Sequence, residues 1–209
     1  MGYGYFVSKA LKCNFVGYEY SGYGLSRGCE DGKKRRKASE RDTYADILAA
    51  YRWLTEEKGI EGRRIIVVGR SVGSGPSVWL VSRKDIEVGG LIVVCGFTSI
   101  LRVVYNGWVP GCLDMFENVK RIRKVRCPVL TVHGTEDEVI PFEHGKRLYA
   151  RVGEGWACDP LWIEGKGHNN AELDNWKATF KVYRKFLETV EDRQKQVDEG
   201  IERRKEWGG

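Results

Sequence analysis

Ser71 has the sequence context of a nucleophile. It is the central residue of the pentapeptide Gly-Arg-Ser-Val-Gly at positions 69–73, which we call the elbow, and it follows the apolar run Ile65 to Val68, typical of a buried strand. A helix can begin at once, because proline is tolerated in a first helical turn and Pro76 falls there. A strand that turns so sharply into a helix strains the middle residue and leaves its hydroxyl exposed above the sheet edge. The stretch therefore predicts a nucleophilic serine.

A serine hydroxyl is a weak nucleophile at neutral pH unless a base lies within hydrogen-bond reach. The chain has three histidines that could act as this base. His133 ends a predicted strand, and we expect it to be a local structural partner, whereas His144 falls on a predicted helix and is expected to face solvent. His168 lies in a glycine-flanked loop after the last predicted strand, where the chain can swing over the elbow. We therefore predict that His168 is the base.

The acid that orients this histidine should lie on a neighbouring loop at a strand end. Glu136, Asp137 and Glu138 follow a predicted strand, and all three qualify by spacing. The shorter side chain of Asp137 favours it, although a run of acidic residues is also typical of a solvated turn. Spacing alone leaves the choice among the three open.

The predicted strands alternate with predicted helices, which indicates a parallel sheet with right-handed crossovers. Ligands of such sheets bind beyond the carboxyl ends of the strands. The serine, the acids and the histidine each follow a strand, in the order expected of an α/β-hydrolase fold, so we predict an α/β, mostly parallel sheet with flanking helices. We predict strands at Cys13–Tyr20, Ile65–Val68, Gly90–Cys95, Pro128–Val132 and Pro160–Ile163, and helices that begin at Ser39 or Asp42 and end at Gly59, run from the elbow to about Ser82, cover Phe142–Val152, and extend from Asn170 to Val190, with the end of a helix or a turn over 1–12.

The composition fits one cytosolic domain. A chain of 209 residues with 42% hydrophobic residues can bury a sizeable core, which we place at 1–190, followed by a polar tail at 191–209 that is frayed or faces solvent. The six cysteines form no Cys-X-X-Cys pair, which favours reduced, packed thiols over disulfides or zinc. No apolar run approaches the ~20 residues that span a bilayer, and residues 1–12 lack a signal-peptide core. The glycines after Tyr20 have the wrong spacing for a dinucleotide site. We therefore predict no cofactor, and the scattered cysteines lead us to predict no metal.

Five motifs recur over roughly residues 14–190: Tyr18–Gly24, the elbow, Phe116–Asn118, His133–Ile140 and Pro160–Asn169. Together, in this order, they resemble the α/β-hydrolase domain-containing 17 family. Members of that family are membrane-associated serine hydrolases that remove palmitate from protein cysteines, and more distant relatives carry peptidase-like labels. The resemblance implies that Ser71 is the nucleophile, Asp137 the acid and His168 the base, and that S-palmitoylated proteins are the substrates.

The sequence also departs from that family. The fold requires a strand before residue 13 and a His-Gly-containing loop that supplies one of two oxyanion donors, and nothing in 1–12 resembles them. We therefore expect an N-terminally truncated form of a longer protein, with a gap in the sheet between residues 14–20 and 65–69. The N-terminal cysteine cluster that is lipidated in the family is also absent. The remaining oxyanion donor is the backbone N–H of Val72, and losing one such donor typically lowers kcat ~10²–10³-fold.

Two basic clusters offer a membrane contact. Lys33, Lys34, Arg35, Arg36 and Lys37 lie in a polar loop, where each charge near anionic lipid contributes about 1 kcal/mol, although a merely solvated loop explains them equally well. We expect no nucleic-acid binding, because aromatic residues are not interleaved with these charges. The protein is expected in the cytoplasm, peripheral at the cytosolic face of membranes. The second cluster is Lys120, Arg121, Arg123, Lys124 and Arg126, which extends the patch if the fold brings both to one side.

An acyl substrate requires an apolar groove near the serine. The segment 97–126 is the expected wall, with Trp108, Val109 and Met115 as candidates, although such residues more often belong to a plain core. Three functions stay open on this basis. They are a palmitoyl-protein thioesterase, a related serine peptidase or small-ester hydrolase, and a hydrolase-like module impaired by the missing oxyanion loop.

Overall fold

The computed structural model describes residues 3–27, 37–104, 114–172, 174 and 176–206. Its four strands are all parallel and form one sheet in the order β1-β2-β3-β4. The predicted α/β class with flanking helices is confirmed. The strands are β1 Ile66–Arg70, β2 Gly90–Val94, β3 Val129–Gly134 and β4 Leu161–Ile163, and the helices are α1 Tyr3–Leu11, α2 Glu40–Arg52, α3 Ser74–Val81, α4 Ile100–Val104, α5 Asn118–Arg121, α6 Phe142–Tyr149 and α7 Trp176–Glu206.

Helices cover both faces of the sheet. Strands β2 and β3 are buried at every residue, which is why their sequences are continuous apolar runs. On one face Leu91 and Val129 pack with residues of α2, α3 and α6. On the other face Ile92 and Leu130 pack with residues of α1 and α7. Because all four strands are parallel, their carboxyl ends lie at the same edge of the sheet.

The predicted strand at Cys13–Tyr20 is wrong. Residues 14–20 lack regular secondary structure, and most of their side chains are exposed or half-buried. A strand forms only where a neighbouring backbone accepts and donates its hydrogen bonds, and no described segment provides this for residues 14–20. A cleft of about 330 Å³, lined by Phe15 and Val68 among others, separates this segment from β1. The gap was expected inside the sheet between two strands, whereas in the structure β1 is an edge strand and the space beside it is this cleft.

The start of α2 agrees with the sequence prediction, whereas the bounds of α7 differ from it. Ser39 is the N-cap of α2 and its side chain accepts from the Asp42 N–H, as its residue type predicts. The last helix begins at Trp176 rather than Asn170, and it continues to Glu206 through most of the predicted tail 191–209. Side chains at 191–199 are mostly exposed, so the tail faces solvent but is not frayed there. Arg63 ties it to the domain through an ion pair with Asp198 (2.7 Å).

The described cysteines are free thiols, as predicted: Cys95 and Cys127 are buried, Cys158 is partly buried and Cys13 is exposed. Cys29 and Cys112 lie outside the described residues. Among the described helices, none combines the length and the apolar character needed to cross a membrane.

Candidate active site

The elbow has the predicted geometry. Strand β1 ends at Arg70, a single tight helical turn covers Ser71–Gly73, and α3 begins at Ser74. Ser71 has a φ of 51°, in the left-handed region that a side chain other than glycine adopts at a cost of about 1–3 kcal/mol. Such strain persists only where the surroundings enforce it, which marks Ser71 as a functional candidate.

Gly69 allows β1 and α3 to approach closely beneath this turn. A Cβ atom added at Gly69 would lie 2.7 Å from the carbonyl oxygen of Gly73 and 2.7 Å from the Cβ atom of Ser77. Both neighbours belong to the elbow or to helix α3, and neither can move without shifting the turn.

We expect Gly69→Ala to reduce the free energy of unfolding by about 1–3 kcal/mol, because the added methyl group overpacks a rigid contact. Denaturant unfolding followed by circular dichroism measures this loss. The control is Gly17→Ala, whose added Cβ would meet only Phe15 at an ordinary 3.6 Å. Equal stability of the two variants would contradict the close packing at the elbow.

Three of the predicted site residues meet at the carboxyl edge of the sheet. The Nε2 atom of His168 lies 3.0 Å from the Oγ atom of Ser71. The Nδ1 atom of the same ring lies 2.8 Å from Oδ2 of Asp137. Asp137 and His168 are buried, at 7% and 6% exposure. The histidine thus connects a serine hydroxyl to a buried carboxylate, which is the arrangement in which a histidine takes the serine proton.

Asp137 is held as a carboxylate by its neighbours. Burial raises its pKa, but hydrogen bonds from the Ile140 N–H, His168 and the Val139 N–H outweigh burial and bring the pKa below the usual 3.8. The Oδ1 atom accepts the Val139 and Ile140 N–H groups at 2.9 and 2.7 Å, which leaves Oδ2 for the histidine. A group with these contacts stays ionised at neutral pH and can stabilise an imidazolium.

The two acids that spacing left open have different positions. Glu138 accepts the backbone N–H of His168 at 3.1 Å through Oε2, so it contacts the backbone of the histidine. Glu136 is exposed. Only Asp137 of the three contacts the imidazole ring among the described hydrogen bonds.

His133 is a structural partner, as predicted. Its ring is fully buried, and Nε2 lies 2.9 Å from the Ile140 carbonyl oxygen and 3.3 Å from Oδ2 of Asp137. His144 was expected to face solvent, and this prediction is wrong. It is 6% exposed, and Nδ1 accepts the Thr98 N–H at 3.2 Å. Helix α6 packs against β3 on the face that carries His144, so the helix position alone did not reveal its direction.

Because His133 and His144 are buried, we predict that the free energy of unfolding depends on pH. Burial lowers the pKa of both His133 and His144 below the 6.5 typical of histidine, and for His144 the charge of Arg147 adds to the effect. The unfolded chain therefore takes up protons more readily than the folded chain, so the free energy of unfolding is largest above 6.5 and falls as the pH drops below it. We expect this decline between about pH 7 and pH 5 in denaturant titrations, and a shallower decline in His144→Asn. Equal slopes in both proteins would contradict the assignment.

Cys95, His133 and Asp137 place ligand-type atoms within 4.8 Å of one another. Burial, followed by the charge of Asp137, raises the pKa of the Cys95 thiol to about 12, so the sulfur stays protonated. Both oxygens of Asp137 already accept hydrogen bonds, and the thiol would have to lose its proton before its sulfur could bind a metal. These groups suit the hydrogen-bonded surroundings of an acid better than a metal centre.

Arg70 is a site residue that the sequence did not single out. It occupies the variable position before Ser71, and its Nη2 donates to the carbonyl oxygen of His168 at 2.6 Å. Its place in the elbow was a signal, but the direction of a side chain at a strand end is not readable from the pattern. Of the predicted acyl-contact residues, Trp108 and Val109 lie outside the described residues, and Met115 is 40% exposed.

The sequence profile of the prolyl oligopeptidase family matches residues 27–190. The chain belongs to this family. The match spans the elbow, the acid loop and the histidine loop, so it covers all three residues that meet at the sheet edge.

Curated relatives confirm the resemblance to the α/β-hydrolase domain-containing 17 proteins. Protein aho-3 of Caenorhabditis elegans is 42% identical over 164 residues, covering 78% of this chain and 46% of the relative. Human protein 17C is 43% identical over 168 residues, covering 80% and 47%, and human protein 17B is 42% identical, covering 80% and 54%. The chain therefore spans about half the length of the curated relatives it matches.

Solved structures support the fold at low identity. A puromycin-hydrolyzing peptidase of Mycobacterium tuberculosis has a TM-score of 0.60 at 17% identity, covering 71% of this chain and 25% of that one. A structure from a study of two metagenome-derived lipolytic enzymes, LipS and LipT, has a TM-score of 0.56 at 19% identity and covers 74% of each chain. An α/β serine hydrolase homologue from Coxiella burnetii has a TM-score of 0.56 at 20% identity, covering 80% and 66%.

Proposed function

We propose that this chain carries the catalytic residues of a serine hydrolase that cleaves palmitoyl thioesters on protein cysteines. The single observation behind the proposal is the hydrogen-bonded series from Ser71 through His168 to Asp137, with contacts of 3.0 and 2.8 Å. The choice of a palmitoyl thioester as substrate rests on the motifs shared with the α/β-hydrolase domain-containing 17 family. The mechanism needs no cofactor.

The proposed reaction has two halves. Oγ of Ser71 attacks the thioester carbonyl while Nε2 of His168 takes its proton, and Asp137 stabilises the imidazolium that results. The tetrahedral intermediate collapses, and the cysteine thiolate leaves with the proton from His168, so the acyl group remains on Ser71 as an ester. Water then attacks this ester and gives a proton to His168, which passes it to Oγ of Ser71 as the ester bond breaks and palmitate leaves. The backbone N–H of Val72, directly after the nucleophile, is the proposed oxyanion donor.

Exposed apolar side chains near this series support an acyl substrate. Val72 follows the nucleophile and is 50% exposed, and Val139 lies two residues beyond the acid and is 49% exposed. Met115 precedes Phe116, which packs at Gly75 in the first turn of α3. Each methylene group that an acyl chain buries contributes about 0.8 kcal/mol, so a few such contacts favour long chains over short ones.

The second candidate is a serine peptidase or a small-ester hydrolase with the same residues. The family profile favours it, because prolyl oligopeptidases are peptidases by name. The third candidate is an impaired hydrolase-like module that has one oxyanion donor. The three differ in which substrate turns over, if any.

One set of kinetic measurements separates these functions. We expect a palmitoyl-cysteine peptide to be hydrolysed with a higher kcat/KM than its acetyl-thioester analogue, and the matched unacylated peptide to remain intact. Faster hydrolysis of the peptide bond or of the acetyl analogue would contradict palmitoyl thioesterase activity and support the second candidate, a peptidase or small-ester hydrolase. A folded chain that turns over none of them and resists a fluorophosphonate probe would be the impaired module.

We further propose that the substrates are reached at an anionic membrane surface at the cytosolic face. Lys33–Arg36 lie outside the described residues, whereas Lys37 is exposed and lies two residues before the N-cap of α2. Arg121 of the second cluster pairs with Glu40 in the first turn of α2 at 3.6 Å, so this part of the second cluster lies beside the start of that helix. Arg123 and Arg126 precede the amino end of β3, at the opposite edge from the elbow, and stand outside the proposed contact.

A further inference from the structure

The backbone of His168 is held on both sides by charged side chains. Its N–H donates to Glu138 at 3.1 Å, and its carbonyl oxygen accepts Nη2 of Arg70 at 2.6 Å. Residues 164–172 form turns without a helix or a strand, so no regular hydrogen-bond ladder fixes this loop. Other hydrogen bonds hold the loop next to this residue, such as Gly167 N–H to Asn170 Oδ1 at 2.9 Å, but these two act on the backbone of His168 itself and so bear directly on the direction of its ring.

Arg70 is in turn held by a buried carboxylate. Its Nε lies 3.5 Å from Oε2 of Glu172, which is 7% exposed. The hydroxyl of Tyr183, a buried residue of α7, donates to the other oxygen of Glu172 at 2.5 Å. A carboxylate so deeply buried is retained at a cost unless cationic and hydrogen-bonding partners compensate for its lost hydration. The series Arg70–Glu172–Tyr183 thus connects the elbow to the helix behind the sheet.

We propose that Arg70 is a positioning residue that holds His168 in line with Ser71, and that Glu172 and Tyr183 fix Arg70 for this task. This inference rests on the proposed function, in which His168 is the base. An arginine suits the position because its planar guanidinium has nitrogens that point in fixed, different directions: here Nη2 donates to a carbonyl while Nε forms an ion pair with a carboxylate. A lysine ammonium lacks this fork and can replace only part of the arrangement. Misplacement of a catalytic group by about 1 Å lowers the rate roughly 10²-fold, which sets the expected effect.

The test compares Arg70→Gln, Arg70→Lys, Glu172→Gln and the double variant Arg70→Gln/Glu172→Gln. We expect Arg70→Gln to lower kcat for the palmitoyl thioester roughly 10²-fold with unchanged KM, and Arg70→Lys to recover part of the loss. The melting temperature of Arg70→Gln should fall, because the buried Glu172 loses its cationic partner, so kcat is compared well below that temperature. The double variant should be no slower than Arg70→Gln, because Glu172 acts through Arg70. The control is Arg52→Gln on α2, an exposed arginine paired only with Glu56 among the described salt bridges, which should retain full activity.

Other results would overturn the proposal. A raised KM with normal kcat in Arg70→Gln would mean that Arg70 contacts the substrate. Additive losses of kcat in the double variant would mean that Glu172 acts independently of Arg70. A wild-type kcat in Arg70→Gln would show that Arg70 does not position His168. Histidine side-chain NMR provides a readout that does not depend on turnover, with the His168 signal assigned by its loss in His168→Gln. We expect one sharp His168 signal in the wild-type chain and a broadened or doubled signal in Arg70→Gln, and an unchanged signal would contradict positioning. If the wild-type chain proved inactive, the proposed function would fail, while the NMR comparison would still decide whether Arg70 positions the ring.

Discussion

Replacing Ser71 with alanine is expected to lower kcat for the palmitoyl thioester by about 10⁶-fold and to abolish fluorophosphonate labelling. The variant removes the only atom that forms the acyl-enzyme bond, and His168 then has no hydroxyl within its 3.0 Å contact to deprotonate. The effect is larger than that of any neighbouring group, because the residues of such a series act as a unit and the loss of the nucleophile removes the whole benefit. Residual activity would come from binding and oxyanion stabilisation alone.

Turnover and probe labelling of purified, folded protein measure this effect. The matched control is Ser82→Ala, at the other end of helix α3, where the hydroxyl donates to the Trp79 carbonyl oxygen at 2.9 Å. We expect Ser82→Ala to retain normal turnover and labelling. Labelling that survives in Ser71→Ala would refute the nucleophile assignment.

Asp137→Asn has the second largest expected effect, a loss of about 10⁴-fold in kcat at neutral pH. The carboxylate oxygen 2.8 Å from Nδ1 fixes the tautomer in which Nδ1 carries the proton and Nε2 is free to act as base. An amide that retains the Val139 and Ile140 contacts through its oxygen presents an NH₂ group to the ring, which favours the opposite tautomer. Substrate binding should change little, so KM is expected to stay near its normal value.

The acid assignment is tested against its neighbours in the same loop. Glu136→Gln should have normal kinetics, because Glu136 is exposed. Glu138→Gln keeps an oxygen that can accept the His168 N–H and should lose far less than Asp137→Asn. A loss in Glu136→Gln as large as that in Asp137→Asn would contradict the choice of Asp137.

The fold class and the meeting of the candidate site residues at one sheet edge were predictable from the sequence. Ser71 and His168 are identifiable because the elbow and the glycine-flanked loop each follow a strand, and parallel strands place their carboxyl ends at one edge. Spacing could not choose among the three acids, and the choice required the family resemblance. The geometry agrees with it because the hydrogen bonds from Val139 and Ile140 turn the Asp137 side chain toward the ring.

The features that sequence missed depend on long-range contacts. The run Cys13–Tyr20 has the composition of a strand, but a strand needs a partner, and none of the described segments pairs with it. His144 lies on a short helix whose buried face is chosen by packing on β3, where Gly145 lets the helix approach His133. Arg70 reaches a residue 98 positions away, which no local pattern encodes.

Mass spectrometry of an acid-quenched reaction with a palmitoyl thioester tests the catalytic role of these residues most directly. If Ser71, His168 and Asp137 carry out acyl transfer, the wild-type chain should carry one palmitoyl group on the peptide that contains Ser71 early in the reaction. The same peptide should remain unmodified in Ser71→Ala. Palmitate released from the folded wild-type chain with no adduct on Ser71, or with the acyl group on another residue that turns over in its place, would contradict the mechanism.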